Sequence, residues 1–155
     1  MISVLRERLN EDVVAVVTSA ALRFISIDVL RYAGRAAAVV TDSSDSLSDQ
    51  PNHIWLAEQM SGLLVYPASA NFIGRAAVGM ADDTASLTFL ASHKKPRMIA
   101  PSMNHLMWIN PLVQKNIASL QHYGVSVVPP VGGFSRDVTE VVDAYCSFVR
   151  DSLSS

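Results

Sequence analysis

A chain of 155 residues with 50% hydrophobic and 17% charged side chains can bury one sizeable core, and a single domain over residues 1–155 is expected. A net charge of −2 without any Lys/Arg run gives no electrostatic footprint for nucleic acid or an anionic membrane. No apolar run reaches the ~20 residues of a membrane span, and MISVLRERLNED lacks the apolar centre and cleavage site of a signal peptide, so a cytoplasmic protein is expected.

The apolar fraction is high and the charged fraction falls below its usual level of about a quarter, so burial between subunits is expected as well. A single cysteine, Cys146, excludes an internal disulfide and a cysteine-cluster metal site. It lies in the helical-looking DAYCSFVR and reads as a buried packing residue.

In chain order, VVAVVTS (13–19) reads as a strand, 22–33 as a helix, and AAAVVTD (36–42) as a second strand. A helix at 53–60, a strand at SGLLVYP (61–67) and a helix over 71–92, with a possible break near Gly79, follow. PRMIAPS (96–102), a helix at 105–121, GVSVVPP (124–130) and a helix at 136–152 complete the series. The strands are near-continuous apolar runs, the pattern of a parallel sheet buried on both faces. Alternation of this kind predicts a three-layer α/β fold, Rossmann-like or flavodoxin-like, with helices flanking a parallel sheet and ligands at the carboxyl ends of the strands. The polar loop DSSDSLSDQPN (42–52) is long for such a connection and is expected to overhang those ends. Gly132 and Gly133 permit positive backbone angles before the final helix.

The segments after each strand carry the candidate chemistry. Thr18 and Ser19 open a helix with small hydroxyl residues, suited to cupping a phosphate and equally to ordinary N-capping. Thr41, Ser43 and Ser44 repeat that pattern. Ser69, Ala70 and Asn71 enter the next helix through small residues that allow a ligand close to the backbone. There is no GxGxxG and no GxxxxGK[ST], so neither a dinucleotide fingerprint nor a P-loop is indicated. Hydroxyls and amides without positive charge suit a monophosphate on a polar chain, which describes FMN, with Met or aromatic faces against its ring. Without further information, His53 is equally a helix-start histidine, and Met103, Met107 and Trp108 are equally core packing.

PASANF at 67–72 and PSMNHLMW at 101–108 resemble the PASANT and PxMNxxMW motifs of the homo-oligomeric flavin-containing cysteine decarboxylases. PNHI at 51–54 resembles their active-site histidine segment, and GMADDTASLTFLA (79–91) resembles the stretch after PASANT. Within the family the chain looks most similar to the epidermin-type peptidyl-cysteine decarboxylases of lantibiotic and related peptide biosynthesis. The resemblance implies His53 as catalytic histidine, Asn104 as the group holding the cysteine carboxylate, and Ser69, Ala70 and Asn71 at the flavin. It places Met103 in the pocket wall, with Met107 and Trp108 closing the substrate side. It also implies FMN bound between subunits of a trimer, four trimers building a dodecamer, and a precursor peptide ending in cysteine as partner. That peptide would lose two hydrogens and CO2 to become an aminoenethiol, for aminovinyl-cysteine ring formation. The alternatives are phosphopantothenoylcysteine decarboxylation and a non-catalytic flavin-binding regulatory protein. The coenzyme A reaction uses, within the family, a further cysteine after the last common strand, where this chain has PPVGGFSRD. Phe72 replaces the threonine of PASANT, which puts one cofactor or subunit contact in question. His105 occupies a variable motif position and reads as surface or interface, while His93 and His122 read as solvent-facing. Arg23 and Arg75 could approach a phosphate but read first as surface residues. No metal is expected.

Overall fold

A computed structural model of the protein describes residues 1–132 and 136–154. The chain opens with α1 (Ile2–Leu9), a segment to which the sequence reading assigns no element. Eight residues make a marginal helix alone. This one is fixed by tertiary packing, with Leu5 buried against Val142, Tyr145, Cys146 and Val149 of the terminal helix. Asn10 ends it in the left-handed conformation and donates its N–H to the Arg6 carbonyl.

Two parallel ladders follow. β1 (Val14–Val16) pairs with β2 (Ala38–Val40) in the register Val14 to Ala38. β3 (Leu63–Ala68), β4 (Arg97–Pro101) and β5 (Val125–Val127) form the second sheet in that order, with Arg97 opposite both Leu63 and Val125. The parallel α/β fold is therefore present, but the expectation of five fully buried strands is corrected. Only β4 is buried along its whole length, and β1 is half-buried throughout. The expected helix at 22–33 supplies the reason. It forms only a 3-10 turn at Ala21–Arg23 and a π-helical turn at Val29–Ala33, so less apolar surface covers the first two strands.

The remaining helices are α2 (Asn52–Gln59), α3 (Ala70–Ala77), α4 (Thr84–Ala91), α5 (His105–Trp108), α6 (Pro111–His122) and α7 (Val138–Leu153). The helix expected at 71–92 is divided around Gly79, whose φ of +71° ends α3, and Asp83 restarts the chain as the N-cap of α4. The one expected at 105–121 is divided because Asn110 caps a new helix with Pro111 in its first turn. Gly132 has the anticipated positive φ of +60°, while Gly133 lies outside the described residues. One core cluster lies between the sheet and α3, α4 and α6, around Ile73, Phe89, Ile99 and Ile117. The other lies under α1 and α7, around Met98, Val141, Val142 and Tyr145. Among the described residues no helix is long and apolar enough to cross a membrane.

Asp83 anchors the α3–α4 junction. It accepts the Ser86 N–H at 2.7 Å in a capping box and faces the Arg75 guanidinium at 2.8 Å. Burial pushes its carboxyl pKa up, but the Ser86 hydrogen bonds and Arg75 outweigh that and hold it below the ordinary 3.8. A depressed folded pKa gives stability that is complete above the unfolded value and is lost as pH falls through the folded one. Asp83→Ala is expected to lower Tm near neutral pH by about 2–8 °C. In thermal melts the gap from wild type should narrow as pH drops below the ordinary carboxylate value.

Candidate functional site

The carboxyl ends of β1 and β2 lie side by side and bring the first two hydroxyl groups of residues together. Ala21 donates its N–H to Thr18 Oγ1 at 3.2 Å, an N-cap-like bond that uses a lone pair and leaves the hydroxyl proton free. Ser19 behaves differently. Its hydroxyl donates to Asp42 Oδ2 at 3.1 Å, so its proton is committed and only acceptor capacity remains. Thr41 is buried and knots the second loop, donating its N–H to Ser44 Oγ at 2.9 Å, with the two hydroxyls 3.0 Å apart. Ser43 stays on the surface, its hydroxyl 3.3 Å from that of Thr41.

The ends of β3 and β4 are likewise adjacent, since Ser102 donates its N–H to the Ala68 carbonyl at 2.9 Å. Ser69 caps α3 by accepting the Phe72 N–H at 3.2 Å, again keeping its proton for another acceptor, with Ala70 and exposed Asn71 beside it. Asn104 caps α5, its Oδ1 accepting the Leu106 N–H at 2.9 Å. This bond decides what the side chain can do. The acceptor end of the amide is occupied and fixed, and the exposed Nδ2 is left with its N–H donors. A neutral, oriented donor at a strand end is suited to a carboxylate. Beneath it Met103 is buried in the core, Trp108 packs half-buried against the same cluster, and Met107 is exposed.

His53 sits half-buried in the first turn of α2, which begins at the same end of the sheet. The preceding loop is pinned to this turn by Asn52, which accepts the Leu47 N–H at 2.8 Å and donates to the Asp45 carbonyl at 3.1 Å. His93, His105 and His122 are exposed, and Arg23 is exposed on its short turn. Arg75 is not the free surface cation expected from sequence. It is 16% exposed and bound to Asp82 and Asp83, which removes it as a phosphate ligand. Cys146 is 4% exposed within the α1–α7 core, and burial raises its thiol pKa. Among the described residues no group of His, Cys, Asp and Glu is arranged to hold a metal.

Asp42 and Asn52 were not singled out from sequence. A polar residue after a strand was a usable signal for Asp42, but its partner on α4 is 42 positions away, while Asn52 opens α2 after a long polar loop. The Phe72 substitution is explained. Its ring is buried and meets Phe89 edge-on at 5.5 Å, so this side chain fills the core and presents nothing to the surface.

These donors fit a flavin mononucleotide in kind: free hydroxyl protons at Thr18 and Ser69, amides at Asn71 and Asn104, and small residues at the helix starts. The family model that matches, described as Flavoprotein, covers residues 1–150. The chain belongs to the Flavoprotein family.

This Flavoprotein-family chain is 34% identical over 131 residues to phosphopantothenoylcysteine decarboxylase HAL3a of Glycine max, covering 77% of this chain and 58% of that one. It is 34% identical over 136 residues to the coenzyme A biosynthesis bifunctional protein CoaBC of Haemophilus influenzae, covering 84% of this chain and 32% of that protein. The chain thus spans little more than half, or less, of these curated relatives. Among solved structures, SpaF, an FMN-dependent cysteine decarboxylase, superposes with a TM-score of 0.85 at 29% identity, covering 98% of this chain and 86% of SpaF. The peptidyl-cysteine decarboxylase EpiD superposes at 0.74 with 28% identity, covering 95% and 93%. A cysteine-to-serine mutant of a PPC decarboxylase, complexed with pantothenoylaminoethenethiol, superposes at 0.75 with 25% identity, covering 99% and 93%.

Restoring the motif threonine tests the placement of Phe72. Phe72→Thr is expected to cost about 3–5 kcal/mol in denaturant unfolding through the cavity it leaves, with flavin affinity of the folded fraction unchanged. A fully stable variant with tighter flavin binding would mean that this position faces the cofactor.

Proposed function

We propose that the chain binds FMN at the carboxyl ends of β1 to β4 and carries out the oxidative decarboxylation of a substrate ending in a cysteine carboxylate, releasing an enethiol. The observation that carries the reading is the capped Asn104 amide, whose free end is a neutral donor, within the segment PSMNHLMW that resembles the decarboxylase motif. When bound, FMN would supply the two-electron oxidation of the cysteine thiol to a thioaldehyde, the electron sink for carbon–carbon cleavage, with an external acceptor such as dioxygen taking up the two electrons between turnovers. Asn104 Nδ2 orients the carboxylate without the ground-state grip of a cation, which would oppose loss of CO2. His53, half-buried in the first turn of α2, accepts the thiol proton. Thr18, Ser43, Ser69, Ala70 and Asn71 hold the phosphate and ribityl chain, and Ser19 contributes as an acceptor. Trp108, Met107 and the underlying Met103 wall the site.

The relatives support phosphopantothenoylcysteine as the substrate, since both curated proteins named above belong by name to coenzyme A formation. A second reading, the C-terminal cysteine of a precursor peptide, is favoured by one observation. No cysteine lies between Gly124 and Asp137, and the chain's single cysteine, Cys146, is locked in the core under α1. No thiol is therefore placed to reduce an enethiol, so either substrate should stop at that stage. The same reading has the open strand-end site completed by further copies of the chain in a homo-oligomer, a trimer or a dodecamer. Phe24 at 89% exposure, and Leu106 of α5 and Val78 after α3 at 73%, support it as exposed apolar surface.

Purified protein is expected to be yellow, and mass spectrometry should find loss of CO2 plus two hydrogens from one of two substrates. Turnover of phosphopantothenoylcysteine would assign the first reading, and turnover of a peptide ending in cysteine the second. Flavin bound with turnover of neither would reduce the protein to a flavin binder. His53→Asn should lower turnover by about 100- to 10,000-fold. Asn104→Asp should abolish it with fold and colour retained, because a carboxylate still caps α5 but repels the substrate.

A further inference from the structure

We propose that Asp42 is a positioning residue of the flavin site, a single carboxylate that ties the β1 loop to the N-terminus of α4 and so sets the spacing between the two halves of the cradle. The inference rests on the FMN reading above. Thr18, Ser19 and Ser43 stand on the β1–β2 sheet, whereas Ser69, Asn71 and Asn104 stand on the β3–β4–β5 sheet. Among the described residues no backbone hydrogen bond joins the two sheets. A ligand contacting both sets therefore depends on whatever fixes one sheet against the other. Apolar packing of α2 on α4 brings them together without direction.

Directional ties come from side chains at opposite ends of the sheets. At the amino end Ser61 donates its hydroxyl to Glu11 Oε2 at 2.7 Å. At the carboxyl end, where the candidate site lies, Asp42 Oδ1 accepts the Thr84 N–H at 2.7 Å and Oδ2 accepts the Ser19 hydroxyl at 3.1 Å. Thr84 is the first residue of α4, and its N–H has no acceptor within the helix. Starting that helix does not require Asp42, because Asp83 already caps it through Ser86. What Asp42 adds is a link across 42 residues, between a loop of one sheet and a helix packed on the other. The same contact determines the polarity of Ser19, whose proton it takes.

Two variants cut the tie from opposite sides. Asp42→Ala removes the acceptor. Thr84→Pro removes the donor at a helix position that tolerates proline, after a residue, Asp83, already in the extended conformation that proline requires of its predecessor. Titration of flavin-free protein with FMN and with riboflavin, well below each Tm, should show affinity for both flavins falling about tenfold in either variant. The double variant should lose little more than one alone, and Asp42→Asn should recover most of the loss. Wild-type affinity in both single variants would overturn the proposal, as would a loss that simply doubles in the double variant. Hydrogen exchange at the Thr84 amide of flavin-free protein should accelerate in Asp42→Ala, and unchanged exchange would overturn the tie itself. A wild type that binds no flavin, with the exchange effect present, would instead overturn the FMN reading and with it the positioning role.

Discussion

The fold is organised by one strand with no exposed residue. From Arg97 to Pro101 every position of β4 is buried, flanked by β3 and β5 at its edges and by a core on each face. Ile99 joins the cluster under α3, α4 and α6, while Met98 and Ala100 join the one under α1 and α7. Alternation of side chains along a strand thus turns five residues into the partition between two cores. Polar groups can occur only at its ends. At the amino end Arg97, 7% exposed, donates to the Phe89 and Tyr123 carbonyls and lies 5.0 Å from the Phe89 ring centroid, and burial lowers its guanidinium pKa. At the carboxyl end the chain emerges as Ser102 to Asn104, and the candidate chemistry begins there.

Capping links local structure to that chemistry. Ser69 and Asn104 are each required by a helix that would otherwise leave a first-turn N–H unpaired. In each case the cap uses an oxygen lone pair and leaves the N–H or O–H free. One hydrogen bond therefore both starts a helix and aims a donor away from it. Ser19 is the exception, because Asp42 takes its proton, and the two halves of the site consequently differ in polarity as well as in the sheet that carries them.

The placement of Cys146 bears on the choice between the two proposed substrates. It packs on the inner face of α7 against the α1 side of the core, and burial disfavours its thiolate. A thiol that acts on a strand-end intermediate would need exposure and a loop position, and Cys146 has neither. The likeness to coenzyme A enzymes and the absence of a placed thiol thus pull in different directions. The chemistry up to the enethiol is common to both readings.

Much was legible in the sequence because it is local. Near-continuous apolar runs marked the strands, and the break near Gly79 was anticipated, whereas the one between Trp108 and Pro111 was not. The PASANF and PSMNHLMW segments singled out Ser69 and Asn104, each of which caps a helix after its strand. Four features were not legible. α1 is stabilised by α7, more than a hundred residues away in the chain. The segment at 22–33 has a helical pattern yet forms only two short turns. Arg75 looked like a surface cation until Asp82 and Asp83 folded back onto it, and Phe72 looked like a lost hydroxyl until its ring proved to face Phe89. The sequence by itself determined the parallel α/β order and the residue types available at each strand end, since spacing and side-chain chemistry are properties of short segments. Only the tertiary structure decided which lone pairs and protons remain free, because hydrogen bonds such as Asp42 to Thr84 join positions that no local pattern connects.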